Sequence, residues 1–147
     1  MTNAVHILIV QDDAIDVEII MRIFQDEGID NPFTVASTGQ EALNILRGEG
    51  GYPRLPRPYL ILLDLGLPGL NGLEFLKLVR ADPELKGSIV FVVSGSERRE
   101  DQAAAYDLYI AGYVINSVSN KLQDLAEMFK HYLHTVEFPV EEPGLTR

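Results

Sequence analysis

Apolar residues along this chain alternate between short unbroken runs and helical periodicities. Residues 5–10, 59–64 and 89–93 are apolar at almost every consecutive position, which is typical of strands buried on both faces of a parallel sheet. Shorter runs at 32–36 and 112–115 predict two more strands. Between the runs, apolar residues recur at the three- and four-residue spacing of amphipathic helices, so each predicted strand is followed by a predicted helix.

Capping residues and helix breakers set the ends of the first three predicted helices. The first helix is expected to end near Gly28. Thr38 and Glu41 have the spacing of a capping box at the start of the second. Asn71 can cap the third, and Pro83 marks its end.

The remaining chain predicts two helices and a tail. Residues 97–108 read as the fourth helix, and Ser119 is expected to cap a fifth that runs to about Val136. We therefore expect one domain over residues 1–136. Residues 137–147, which hold two prolines, are expected to form an irregular C-terminal tail.

Five strand-then-helix units predict an α/β fold with a doubly wound, five-stranded parallel sheet. In such folds ligands bind at the carboxyl ends of the strands. Polar side chains stand at the predicted carboxyl ends of four strands: Gln11, Asp12, Asp13, Asp64, Ser94 and Asn116. Three carboxylates are thus expected to converge on one edge of the sheet.

Carboxylates at close range repel one another, and a hard divalent cation such as Mg²⁺ relieves that repulsion. A carboxylate beside Mg²⁺ can also attack phosphorus to form an aspartyl phosphate. The alternative for each acidic residue taken alone is a helix cap or a solvated loop position, and Asp12 or Asp13 is placed to cap the first helix.

The composition is that of an ordinary globular protein, with 46% hydrophobic and 23% charged residues in 147. A net charge of −10 argues against nucleic acid and anionic membrane surfaces as partners. The chain has no cysteine, which excludes disulfides and thiolate chemistry. It has no apolar stretch approaching the ~18 residues of a membrane span and no signal-peptide pattern, so we expect a cytoplasmic protein.

Four segments of the chain resemble the receiver domains of two-component response regulators, the CheY-like proteins with a flavodoxin-like fold. The segments are 7–13, 62–72, 92–96 and 112–116, and the resemblance covers residues 4 to 136. The spacings from Asp64 to Ser94 and from Asp64 to Asn116 also match the family pattern. The resemblance implies a single-domain response regulator in a phosphorelay, with no separate catalytic domain.

Carried over position by position, the resemblance makes Asp64 the phosphoacceptor. It implies that Asp12, Asp64 and the backbone carbonyl of Gly66 hold Mg²⁺, with Asp13 and Gln11 contributing through water. A Mg²⁺-dependent hydrolase on a similar sheet fits less well, because such phosphatases usually carry a second aspartate where this chain has Gly66.

The resemblance also assigns two switch residues and reveals two departures. Ser94 matches the hydroxyl that bonds the phosphoryl group, and Tyr113 matches the aromatic switch. Gln11 stands where the family has an acidic residue, and Asn116, followed by Ser117, replaces a nearly universal lysine. An amide carries no charge. Two functions therefore stay open: a phosphoryl acceptor for a histidine kinase, or a phosphorylation-independent interaction module.

Within the family, the chain is most similar to stand-alone regulators encoded with bacterial phytochromes. The proline-rich segment 48–58, the stretch 107–109 and the extended ending 132–139 carry this similarity. It implies a sensor histidine kinase of the bacteriophytochrome type as the partner.

The last predicted helix bears two apolar stripes. The first stripe comprises Leu122, Leu125, Ala126, Phe129 and Leu133. The second comprises Met128, Tyr132 and Val136. Since one stripe suffices to face the core, the second favours a homodimer through the last strand and helix, the alternative being that the C-terminal tail covers it.

Overall fold

A computed structural model, which describes residues 4–117 and 120–139, has one five-stranded parallel sheet in the order β2-β1-β3-β4-β5. The strands are β1 (His6–Val10), β2 (Phe33–Ala36), β3 (Tyr59–Leu63), β4 (Ile89–Ser94) and β5 (Gly112–Ile115). The helices that follow them in alternation are α1 (Ala14–Asp26), α2 (Gly39–Arg47), α3 (Gly72–Ala81), α4 (Arg99–Asp107) and α5 (Lys121–Thr135). The predicted doubly wound α/β fold is confirmed.

The central strands are buried on both faces, which explains their unbroken apolar runs. Side chains such as Leu8 and Ile61 lie side by side in the sheet and pack with α2, α3 and α4. Their neighbours Ile7 and Leu60 point to the opposite face and pack with α1 and α5. The sheet therefore lies between two helical layers, and only its strand ends remain open for chemistry.

The predicted helix caps are partly confirmed. Asn71 and Glu74 form a full capping box at α3, with side chain-to-backbone distances of 2.9 Å and 3.0 Å. Thr38 caps α2 by accepting from the N–H of Glu41 at 3.0 Å. The Glu41 carboxylate does not return to Thr38, however; it accepts from the backbone N–H of Ser37 at 2.7 Å.

Two element boundaries differ from prediction in ways that affect the site. β4 continues through Ser94, which pairs with Ile115 of β5. The Ser94 carbonyl accepts from the N–H of Asn116, the residue directly after β5, at 2.9 Å. α4 begins at Arg99 rather than at residue 97, and its N-cap residue, Arg98, makes no side-chain cap. At α5 the predicted cap, Ser119, lies outside the described residues.

The first apolar stripe of α5 is buried as predicted at Leu125, Ala126, Phe129 and Leu133. The second stripe is only partly covered. The ring of Tyr132 lies 5.5 Å from that of Phe91 and 5.6 Å from that of Phe138 in the segment after the helix. Met128 and Val136 stay 43% and 38% exposed. None of the helices in the described ranges is long and apolar enough to cross a membrane.

Candidate functional site

Asp64 directly follows β3 and lies at the carboxyl edge of the sheet. Its backbone N–H donates to the carbonyl of Val10 at 3.0 Å, so the chain keeps its register with β1 as the acidic segment 11–13 begins. Gly72, the first residue of α3, lies against this turn. A methyl group there would be 2.6 Å from both the Asp64 carbonyl oxygen and the Leu65 Cα, so the close approach of α3 requires glycine.

The pKa of the Asp64 carboxyl is affected by three residues at the carboxyl ends of neighbouring strands, Gln11, Asp12 and Ser94. Partial burial raises its pKa above the usual value, and the N–H of Gly66 opposes that shift. The negative charge of Asp12 raises the pKa further, whereas polar contacts from the Ser94 hydroxyl and the Gln11 side chain lower it. Asp64 is thus a half-buried carboxylate beside a second carboxylate, and the polar groups of Gly66, Ser94 and Gln11 partly offset the effect of its burial on its pKa.

Gln11 is buried, and its side chain contacts the backbone of the segment that leads into α1. Its amide oxygen accepts from the N–H of Asp13 at 3.0 Å. The Gln11 side chain also lies close enough to the Asp64 carboxyl to lower its pKa. An amide oxygen can accept two hydrogen bonds, so the contribution of Gln11 to a metal site through water stays a prediction.

Asp13 is the N-cap residue of α1. One of its carboxylate oxygens accepts from the N–H groups of Ile15 and Asp16 at 2.8 Å and 3.2 Å. Within the described residues, no group of three or more His, Cys, Asp or Glu side chains is arranged to hold a metal. The prediction that three carboxylates converge is therefore wrong for Asp13, because the N-terminus of α1 offers that side chain better partners.

An open cavity of about 360 Å³ lies next to Asp64. Its lining residues are Asp64, Leu65, Gly66, Asn71, Leu73, Ser94, Gly95, Ser96 and Asp101. None of them is a lysine or an arginine. Asp101 was not predicted as a site residue, because it lies within α4 and only the packing of that helix brings it to the strand ends.

Tyr113 and Asn116 both contact the loop between β4 and α4. The Tyr113 hydroxyl donates to the carbonyl of Ser96 at 3.0 Å, and its ring is half-buried. The side-chain oxygen of Asn116 lies beside Gly95, at 3.6 Å from the position a methyl group would take there. The residue that replaces the lysine thus lies against this loop and brings no positive charge to it.

A doubly wound parallel sheet with acidic residues at the carboxyl ends of its strands places the chain among α/β proteins with a flavodoxin-like fold. Comparison with known sequences identifies its family within that class. The family described as "Response regulator receiver domain" matches residues 7–130. The chain belongs to this family, and the prediction made from its four segments is confirmed.

Three similar proteins place the chain more closely. The response regulator Rcp1 of Synechocystis sp. is 34% identical over 137 residues, which cover 90% of this chain and 92% of Rcp1. The structure of its Mn(2+)-bound form has a TM-score of 0.81 at 31% identity, covering 92% of this chain and 99% of that one. The phosphorylated cyanobacterial phytochrome response regulator RcpA has a TM-score of 0.82 at 32% identity, with coverage of 93% and 99%.

A bacteriophytochrome response regulator, AtBRR, is also similar, with 27% identity, a TM-score of 0.74, and coverage of 96% of this chain and 100% of AtBRR. The predicted similarity to phytochrome-associated regulators is therefore confirmed.

Proposed function

We propose that this chain is a phosphorylation-dependent signalling receiver in which Asp64 accepts a phosphoryl group from a sensor histidine kinase. The surroundings of Asp64 carry the proposal. Its half-buried carboxylate lines an open cavity together with Ser94 and Gly66, whose hydroxyl and N–H lie close enough to lower the pKa of Asp64. A donor can reach such a carboxylate from solvent, and the same hydrogen-bond donors can stabilise charge that develops on the phosphoryl oxygens.

The donor set around Asp64 fits Mg²⁺. The Asp12 charge raises the pKa of Asp64, and a divalent cation held by both carboxylates would relieve this repulsion. Mg²⁺ is usually held by one or two carboxylates and keeps several waters, so a third carboxylate is not needed. We assign Asp12, Asp64 and the Gly66 carbonyl as its ligands. When bound, Mg²⁺ would neutralise charge on the phosphoryl oxygens.

The transfer step follows from the chemistry of the two partners. An oxygen of the ionised Asp64 carboxylate attacks phosphorus, and a new P–O bond forms. The P–N bond of the donor phosphohistidine breaks, its electron pair goes to the imidazole nitrogen, and that nitrogen takes a proton from solvent. Ser94, which lines the cavity beside Asp64, would hold a phosphoryl oxygen through its hydroxyl during the step.

Mass measurement of the intact protein tests the proposal. Incubation with Mg²⁺ and a small phosphodonor should add one phosphoryl group, and Asp64→Asn should abolish the addition. Asp30→Asn removes one carboxylate from an exposed position outside the cavity and should leave it unchanged. A phosphoryl group found on Asp64→Asn at the wild-type level would contradict the assignment.

A second candidate function is a phosphorylation-independent interaction module. The observation that favours it is that, among the described residues, no lysine or arginine lines the cavity, with Asn116 in place of the usual lysine. Without that cation, phosphoryl charge is neutralised less well. If wild-type protein takes up no phosphoryl group while Asn116→Lys does, signalling must proceed without phosphorylation, and this second function replaces the first.

The proposed kinase partner is a bacteriophytochrome. Support comes from the similarity to RcpA and AtBRR, which are named as phytochrome and bacteriophytochrome response regulators. Phosphotransfer from an autophosphorylated bacteriophytochrome kinase should be faster than from a histidine kinase that is not a photoreceptor. Equal rates from both kinases would remove this partner from the proposal.

We also propose a homodimer through the β5–α5 region. β5 is an edge strand of the sheet, and apolar surface is exposed by Met128 on α5 and by Val136 directly after it. Light scattering should give a dimer mass for the wild type and a monomer mass for a Met128→Lys, Val136→Lys variant. A wild-type monomer at every concentration would reject the dimer.

A further inference from the structure

A short hydrogen bond joins two residues that line the cavity beside Asp64. The Ser96 hydroxyl donates to a carboxylate oxygen of Asp101 at 2.5 Å, a distance typical of a charge-assisted bond. Ser96 belongs to the loop after β4, and Asp101 belongs to the first turn of α4. The single hydroxyl proton of Ser96 is therefore directed at Asp101 and away from Asp64.

Ser96 is also connected to the two predicted switch residues. Its N–H donates to the Ser94 hydroxyl oxygen at 3.2 Å, and its carbonyl accepts from Tyr113 at 3.0 Å. Ser96 therefore connects Ser94, which lines the cavity beside Asp64, to Tyr113 on β5. A change at the Ser96 side chain affects both contacts. This connection lies within residues of this chain and needs no lysine.

The charge of the cavity gives the pair a role beyond capping α4. An acidic residue in the first turn of a helix is favourable by itself, and Asp101 stands where Arg98 makes no side-chain cap. Asp101 nevertheless lines the same cavity as Asp64, and no lysine or arginine within residues 4–117 and 120–139 lines it. A phosphoryl group on Asp64 would bring about two negative charges into a space that already holds the Asp101 carboxylate.

We propose that the Ser96 hydroxyl is a second phosphoryl-binding group, which Asp101 holds away from Asp64 until a phosphoryl group arrives. The phosphoryl oxygens repel the Asp101 carboxylate and compete with it for the Ser96 proton. Ser96 then turns to the phosphoryl group, Asp101 loses its partner, and the first turn of α4 is released. Asp101 acts through Ser96 and is a positioning residue. The inference rests on the proposed acceptor role of Asp64.

The test compares beryllofluoride affinity in the presence of Mg²⁺ among full-length variants. Asp101→Asn removes the charge and keeps the side-chain shape. Glu100→Gln is its matched control: it makes the same charge change one residue earlier, at a side chain that is 74% exposed and does not line the cavity. Asp101→Ser is a second neutral replacement for use if the asparagine variant folds poorly.

We expect Asp101→Asn to bind beryllofluoride about fivefold more tightly than the wild type, and the gain to shrink as salt is added. Glu100→Gln should change the affinity by less than about 1.5-fold, because its charge is exposed and more distant. In the wild type, Ser96→Ala should have little net effect, because the lost bond to the ligand is offset by the bond to Asp101 that no longer has to be broken. In Asp101→Asn, where a neutral amide holds the hydroxyl less strongly than the carboxylate does, Ser96→Ala should weaken binding about threefold. A merely structural pair would not give this dependence of one substitution on the other.

The outcomes separate this inference from the proposed function. If the wild type binds beryllofluoride through Asp64 but Asp101→Asn and Glu100→Gln behave alike, the inference is overturned and the acceptor role stands. The same conclusion follows if the effects of Ser96→Ala and Asp101→Asn simply add. If the wild type fails to bind and Asp101→Asn binds, the inference is supported. If no variant binds, Asn116→Lys included, the acceptor role is rejected and the inference with it.

Discussion

Gly72 and Asp64 are in such close contact that a single methyl group on the first would lie 2.6 Å from the carbonyl oxygen of the second. The start of α3 therefore presses directly on the turn that carries the acceptor carboxylate. The capping box of Asn71 and Glu74 fixes the helix at this point, so the helix has little freedom to withdraw. The backbone position of Asp64 is set by a glycine that performs no chemistry.

Gly72→Ala is expected to destabilise the protein by about 3 kcal/mol, because the added methyl group must displace backbone rather than a flexible side chain. It should also weaken adduct formation at Asp64, since the turn must shift. Gly87→Ala is the control: a methyl group there meets no atom within 4 Å, and the change should stay within about 0.5 kcal/mol. Urea unfolding measures both. Equal effects at the two glycines would refute the close contact.

Gln11→Glu restores the acidic residue usual in the family and should make stability more dependent on Mg²⁺. A glutamate there loses the polar amide that lowers the pKa of Asp64 and adds a like charge, so the metal-free protein should lose about 1–2 kcal/mol. With saturating Mg²⁺ much of that loss should be recovered, because metal binding stabilises the folded state. Denaturant unfolding with and without Mg²⁺ provides the measurement.

Gln40→Glu makes the same chemical change at an exposed position on α2. It should show no greater response to Mg²⁺ than the wild type. If Gln11→Glu gains no more from Mg²⁺ than Gln40→Glu does, the metal site at Asp12 and Asp64 is placed wrongly.

The sequence predicted which strand ends meet but not where each side chain turns. Asp64 and Ser94 could be placed together because the carboxyl ends of adjacent parallel strands share one edge. Asp13 could not be distinguished from Asp12, because the choice between a cap and a site depends on the direction in which α1 leaves the sheet. Asp101 could not be found at all, since its contact with Ser96 depends on how α4 packs and on a loop conformation that periodicity does not encode.

Arg80 is expected to stabilise the end of α3 through bonds to backbone rather than to an acidic partner. Its guanidinium donates to the carbonyls of Lys86, Ser88 and Leu108 at 2.7–2.8 Å, and to that of Tyr109 at 3.0 Å. Tyr109 has a left-handed backbone, with φ 61°, which is unusual for a bulky residue. The Arg80 guanidinium thus joins the end of α3 to residues 86–88 and to residues 108–109, which lead into β5.

Arg80→Lys keeps the charge but cannot reach four carbonyls from one ammonium group. It should lower the free energy of unfolding by about 2 kcal/mol and speed amide exchange at the start of β5. Arg22→Lys, at a side chain that is 72% exposed, should change stability by less than about 0.5 kcal/mol. Wild-type stability in Arg80→Lys would show that these four bonds contribute little.

His6 should make the protein less stable as the pH falls below about 6.5. Burial lowers the pKa of His6 below 6.5, and its Nε2 lies 2.7 Å from the Thr34 hydroxyl at the β1–β2 contact. Because the unfolded chain takes up this proton at a higher pH than the folded one, stability is fully present above about 6.5 and declines as the pH falls from there towards the folded-state pKa. His6→Gln removes the titration while keeping a polar side chain. The difference in unfolding free energy between pH 7.5 and 5.5 should therefore be smaller in His6→Gln than in the wild type, and His131→Gln, at an exposed position on α5, should leave it unchanged. A wild-type difference that persists in His6→Gln would assign the pH dependence to other groups.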